Sequence, residues 1–134
     1  MTQGHPFSAS SKESLHWALL LKILENDNRT APFGTVNDVF NVLNAKMNSY
    51  EDFNKAYPGY GWFLPWYQIV NNTVSPSSDW VDRVPSLDNG QLFWGAYSVL
   101  YRLKTNYTNV PYNLTARIQV MIDGMIKNAP KIFY

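Results

Sequence analysis

The chain has no cysteine, which excludes disulfides, thiolate metal sites and a cysteine nucleophile. Histidine is almost as scarce. His5 and His16 have no acidic partners patterned around them, so no zinc or other metal site is expected. His16 reads most simply as a partly buried polar residue. Charged residues make up only 16% of the chain and nearly balance, at a net +1, and Lys and Arg are scattered. That leaves no footprint for a nucleic-acid partner. No apolar run approaches the ~18 residues that cross a membrane, the longest being Trp17 to Leu21, so no membrane partner is expected. The opening MTQGHPFSAS lacks the apolar core of a signal peptide. No cofactor is implied.

What is present is a folding composition, 46% hydrophobic within 134 residues, enough for one domain or part of one. The densest feature is Tyr57 to Leu100. It holds two aromatic blocks, Tyr57, Tyr60, Trp62, Phe63, Trp66 and Tyr67, then Trp80, Phe93, Trp94 and Tyr97. Up to Leu87 the stretch lacks helical periodicity and carries Pro58, Gly59, Gly61, Pro65, Pro76 and Pro85. A loop that long in a compact domain is usually functional or disordered, and this one is too aromatic for disorder. Flat rings beside Asp88, Asn89 and Gln91 suit a sugar, with its apolar faces and many hydroxyls. They equally suit an aromatic core. Composition leaves both open.

Four helices are expected. In the first, Ser10 and Glu13 form an S-x-x-E capping box, and Leu15 to Leu24 is apolar on nearly every side, as in a helix buried among others. The second, Thr35 to about Asn48, is capped by Thr35 with Asp38 and buries Val36, Val39, Phe40, Leu43 and Met47. The third opens at Asp88-Asn89-Gly90-Gln91, with Asp88 as its cap. The fourth begins near Asn113, turns Leu114, Ile118, Met121, Ile122 and Met125 inward, and ends before Pro130. No strand pattern shows before Lys131-Ile132-Phe133-Tyr134. Alternating buried and amphipathic helices are the repeating unit of helical toroids. The expected fold is therefore all-α, paired inner and outer helices of a toroid or solenoid, and incomplete, because two such pairs cannot close a ring. Exposed inner faces at Trp17, Leu20 and Leu21 would follow.

HPFSASSKESLHWALLLKIL, YPGYGWFLPW and above all PSLDNGQLFWGAYSVL resemble the N-terminal portion of eukaryotic, mainly fungal, endo-β-1,2-glucanases. A wider group of glucoamylase-like proteins carries a similar G-F-x-P-W followed by D-N-G. The resemblance implies an (α/α)6-toroid glycoside hydrolase acting on β-glucan, β-1,2-linked in particular, with residues 1–134 giving the first inner and outer helix pairs as the N-terminal part of its one catalytic domain. Its mechanism would be inverting, with an acid and a base carboxyl roughly 6.5–9.5 Å apart. Both are expected beyond residue 134, so no catalytic residue is assigned and this stretch alone is expected to be inactive. The closing KIFY is similar to the start of a short strand in that group.

On this resemblance Asp88 and Asn89 match D-N-G, while Trp62, Phe63 and Trp66 match the G-F-x-P-W region. With Gln91 and Trp94 they are the expected substrate-binding residues. A plain helix cap remains open for Asp88, and loop packing for Trp62 and Trp66. Asp82 and Arg83 are expected to pair with each other or with the loop backbone. Lys12, Glu13 and Lys22 are read as a cap and a solvated face. Four N-x-[ST] sequons, at Asn28, Asn71, Asn106 and Asn113, are a mild excess over chance and would carry glycans in a secreted protein. An oligo- or polysaccharide is the expected partner, the whole protein a monomer, and the location extracellular. The alternatives are a non-catalytic carbohydrate-binding helical protein, a polysaccharide lyase and a helical interaction module. Sparse Arg and Lys near the loop count against a lyase.

Overall fold

A computed structural model describes residues 7–25, 33–77 and 84–133. Asn28, Asp82, Arg83, Trp80 and His5 lie outside the described residues. The order is β1 (Phe7–Ser8), α1 (Ser10–Leu24), α2 (Val36–Ala56), β2 (Tyr67–Val70), β3 (Thr73–Pro76), α3 (Ser86–Asn106) and α4 (Leu114–Phe133). Single 3-10 turns at Pro58–Tyr60 and Pro111–Asn113 precede β2 and α4.

All four expected helices form, with revised ends. The N-cap of α1 is Ala9, not Ser10, and no side chain caps it. Glu13 leaves the capping box because its carboxylate is drawn across to α2, where Lys46 Nζ donates to it at 2.8 Å. The α2 box does form: Thr35 accepts from the Asp38 amide, and Asp38 accepts from the Thr35 amide at 2.8 Å. That helix runs on to Ala56 because Tyr50 and Phe53 continue its buried stripe. α4 continues through Pro130 to Phe133, so the expected terminal strand is helix. A proline in the last turn removes only one of the helix's hydrogen bonds.

The larger revision is a small antiparallel sheet, ordered β1-β2-β3, where an ordered loop without strands was expected. β2 and β3 pair from Tyr67 opposite Pro76 to Val70 opposite Thr73. The two residues between them, Asn71 and Asn72, both have φ near +60° (52° and 62°). This is the conformation a tight type I′ hairpin needs, and asparagine tolerates it.

The core gathers Trp17, Leu20 and Leu24 of α1, Leu43 and Met47 of α2, Leu92, Ala96 and Leu103 of α3, and Ile118, Met121 and Met125 of α4. α1 and α3 pack most extensively. Gly95 permits this, since a Cβ there would stand 3.2 Å from the Trp17 Cβ. The expected exposure of Trp17 and Leu20 is overturned: both are buried, and Leu21 is partly so. The exposed leucines of α1 are Leu15 (73% exposed) and Leu19. Between α2 and α4, Arg117 grips Glu51 through two bonds of 2.9 and 2.7 Å and reaches Asn44 and Asn48 as well. A planar guanidinium suits this forked geometry.

Candidate functional site: an aromatic loop pinned on the first turn of α3

The segment Gly61–Trp66 crosses the first turn of α3 and is held from three helices. Gly61 turns the chain in the left-handed region (φ 60°) and lies so close to Asn128 that a Cβ would come within 2.6 Å of that side chain. The Trp62 amide donates to Asn54 Oδ1 of α2 at 3.1 Å. Asn89 then acts as a clamp. Its Oδ1 accepts from the Leu64 amide at 2.9 Å, and its Nδ2 donates to the carbonyls of Leu64 and Pro85, each at 2.8 Å. A carboxamide here copies the donor and acceptor pattern of a strand edge, so a buried loop backbone is satisfied without a sheet.

Two of the expected substrate-binding residues are packed inward by this arrangement. Phe63 is buried, edge-on to Phe133 with ring centroids 4.9 Å apart. Asn89 is wholly buried and its amide is committed to the loop. Both therefore build the loop and present no surface to a ligand. Trp62, half-buried at a positive φ of 75°, rests its indole against α4 at Gly124. A Cβ on Gly124 would fall 2.2 Å from the Trp62 Cδ1, so only glycine leaves room for this ring.

The other expected residues face outward. Trp66 is exposed, and its carbonyl accepts from the Ser77 amide at 2.8 Å, closing the loop over the hairpin. α3 starts three residues before the expected point, with Pro85 rather than Asp88 at its N-cap and no side-chain cap. Asp88 is thus in the first turn rather than the cap. It is half-buried, and among the described residues its carboxylate has no hydrogen-bond partner. A negative charge in a first turn is favoured by the helix dipole. Gln91 is exposed, and Trp94 is 63% exposed.

The 3–4 spacing of Leu87, Gln91, Trp94, Ser98 and Tyr101 aligns them along one side of α3. Around Trp94 the rings form a cluster. Phe93 meets Trp94 edge-on at 5.4 Å and stacks on Tyr97 at 6.2 Å, while Trp94 and Tyr97 meet edge-on at 5.8 Å. Tyr97 and Tyr101 are also exposed. These tyrosines were not among the expected platforms, although their spacing from Trp94 in the sequence was a usable signal. Of the sequons, Asn71 sits exposed at the hairpin tip, Asn106 at the exposed end of α3, and Asn113 exposed just before α4.

Sequence reasoning also missed a buried polar cluster at the other end of the α1–α2 interface. Glu13, expected in a helix-capping box, is buried with Lys46 on one side and the hydroxyl of Tyr50 donating to the same oxygen. Tyr50 in turn accepts from Trp17 Nε1 at 3.0 Å. Burial opposes the charge on Glu13, yet Lys46 and the Tyr50 hydroxyl outweigh it and hold the carboxyl below its usual value. Burial, reinforced by Glu13, pushes the Tyr50 and Tyr67 hydroxyls well above theirs. The signal lay in the spacing: Glu13 shares a stripe with Trp17, Leu20 and Leu24, and an acid on a buried stripe needs a cation. No group of three or more His, Asp or Glu able to hold a metal occurs among the described residues.

A family model described as Endo-beta-1,2-glucanase SGL matches residues 1–134. No curated protein shows a significant match. Two solved structures of an endo-beta-1,2-glucanase from Talaromyces funiculosus superimpose on the chain, each with a TM-score of 0.89 and 32% sequence identity. One is a mutant in complex with beta-1,2-glucan, the other a complex with sophorose. The match covers 96% of this chain but 28% of theirs, so four helices here correspond to part of a longer helical toroid. With the family model spanning every residue and the fold agreeing, the chain belongs to the endo-beta-1,2-glucanase family.

Proposed function

We propose that this chain supplies the N-terminal wall of the substrate cleft in a secreted, inverting glycoside hydrolase that cleaves β-1,2-glucan. The observation that carries the reading is the family match over the whole chain, joined to relatives solved with beta-1,2-glucan and sophorose. The surface here agrees with that use. Trp94 and Tyr97 offer flat apolar faces, and Asp88 and Gln91 on the turns before them offer an acceptor and an amide for hydroxyls. Trp66 is the loop's own exposed ring. Asn89, Phe63 and Trp62 act one step back, by fixing the loop. The acid and base carboxyls come from the part of the enzyme that this chain does not match, and the wall alone binds without turnover. Exposed sequons at Asn71, Asn106 and Asn113 support passage through a glycosylating secretory route.

The test is a tryptophan-fluorescence titration with linear β-1,2-glucan oligosaccharides, using β-1,3- and β-1,4-glucans as controls. A saturable shift for the β-1,2 series, lost in Trp94→Ala, is expected. A response identical for all three linkages, or unchanged by that substitution, would remove α3 from the cleft.

A further inference from the structure

A second recess lies away from α3. It has a volume of about 260 Å³ and opens between α1, α2 and the β2–β3 hairpin, with no lining residue from α3 or α4. Its walls are apolar: Val42 and Phe53 of α2, Leu64 of the loop and Val74 of β3. Its polar groups are Glu13, Lys46 and Tyr50 of the buried cluster, with His16, Ser49 and Tyr67 beside them. We propose that this pocket binds a small neutral ligand of the phenol class, one aromatic ring carrying an oxygen.

Size, polarity and charge each narrow the ligand to that class. An apolar cavity of ~150 Å³ already accepts benzene, so this space accommodates a substituted ring. Apolar walls with a few gathered polar groups are the usual form of a small-molecule site. Lys46 gives one hydrogen to Glu13 and, among the described residues, shows no partner for its other two. The Ser49 hydroxyl likewise has no partner there. An oxygen on the ligand meets both needs. A net charge does not fit, because Glu13 and Lys46 already neutralise each other at 2.8 Å in a site where both side chains are about nine-tenths buried. A charged ligand would leave one of the three ions uncompensated. This reading does not depend on glucan binding at α3.

The experiment titrates phenol, toluene and benzoate into the full chain and follows the five tryptophan indole N–H signals by NMR. Trp17 is the reporter, since its indole donates to Tyr50 on the pocket wall. Phenol is expected to shift Trp17 saturably and leave Trp94 unmoved. Toluene should bind about five- to tenfold more weakly, the worth of one hydrogen bond, and benzoate should not bind. Ser49→Leu, which fills the pocket, should abolish the Trp17 shift with the circular dichroism unchanged. If that variant does not fold, Ala45→Phe at the exposed rim replaces it. No saturation by phenol, equal affinity for toluene, tight binding of benzoate, or a shift that survives pocket filling would each overturn the proposal.

Discussion

Trp17 and Trp94 sit on the two helices that pack most closely, yet they have opposite fates. Trp17 is fully buried, stacked on Tyr50 at 6.2 Å with a 13° interplanar angle, and its N–H is bonded. Trp94 is exposed, and its ring contacts are with its own helix. The next residue, Gly95, is the one that faces Trp17. One step along a helix rotates a side chain by about 100°, so adjacent positions divide core from surface. The comparison separates aromatics that build the protein from aromatics free to meet a ligand, although both come from equally apolar stretches.

Breaking the buried member should have the largest effect. Trp17→Ala removes a large ring from the α1–α2–α3 junction and leaves the Tyr50 hydroxyl without its donor. Loss of a buried aromatic costs about 3–5 kcal/mol, a large share of a small domain's stability. Urea unfolding should show a much lower midpoint or no cooperative transition. A midpoint near that of the parent would mean that the junction is not the centre of the core.

That division was only half legible in the sequence. The α4 stripe and the Thr35–Asp38 box were readable because each depends on local spacing alone. The burial of α1 was not: eight apolar residues between Leu15 and Leu24 go round the helix, and only the position of α3 decides that Leu20 is covered and Leu15 is not. The hairpin was missed because Asn71 was read only as a sequon within the long loop. Yet Ile69-Val70 and Thr73-Val74 flank it as short β-branched runs, a turn signal with a mechanism. For Asn89, D-N-G suggested a residue facing ligand. Its clamp on Leu64 joins residues 25 positions apart, and no local pattern reveals such a pairing.

The polar base of the buried side sharpens the comparison through pH. The folded chain keeps Glu13 ionised below its ordinary range, so between the folded and unfolded values only the unfolded chain takes up a proton there. Its contribution is therefore present above the ordinary value and lost as pH falls below about 4.3. His16, lowered first by burial and then by Lys46, acts in the same direction, beginning below about 6.5. The urea midpoint should thus fall on acidification from pH 7 and fall further below pH ~4.3. Glu13→Gln should lose that second fall, and at pH 7 it should be less stable by about 3 kcal/mol, because Lys46 stays buried without its counter-ion. A parent and variant with parallel pH profiles would show that Glu13 is not the titrating group.

The smallest effect on stability should come from the exposed member. Trp94→Ala gives up edge-on contacts with Phe93 and Tyr97, each worth about 0.5–1.5 kcal/mol where rings are shielded but less at a 63% exposed position. Alanine is the better helix former and offsets part of that loss, so the net change should stay within about 0.5 kcal/mol. A measured cost of 2 kcal/mol or more, well above that ~0.5, would mean Trp94 is packed by something beyond α3 and would count against an open sugar platform. Near-neutral stability with loss of the β-1,2-glucan response gives the opposite conclusion. An exposed ring that contributes little to folding but decides binding is held for its ligand, whereas Trp17 is held for the fold.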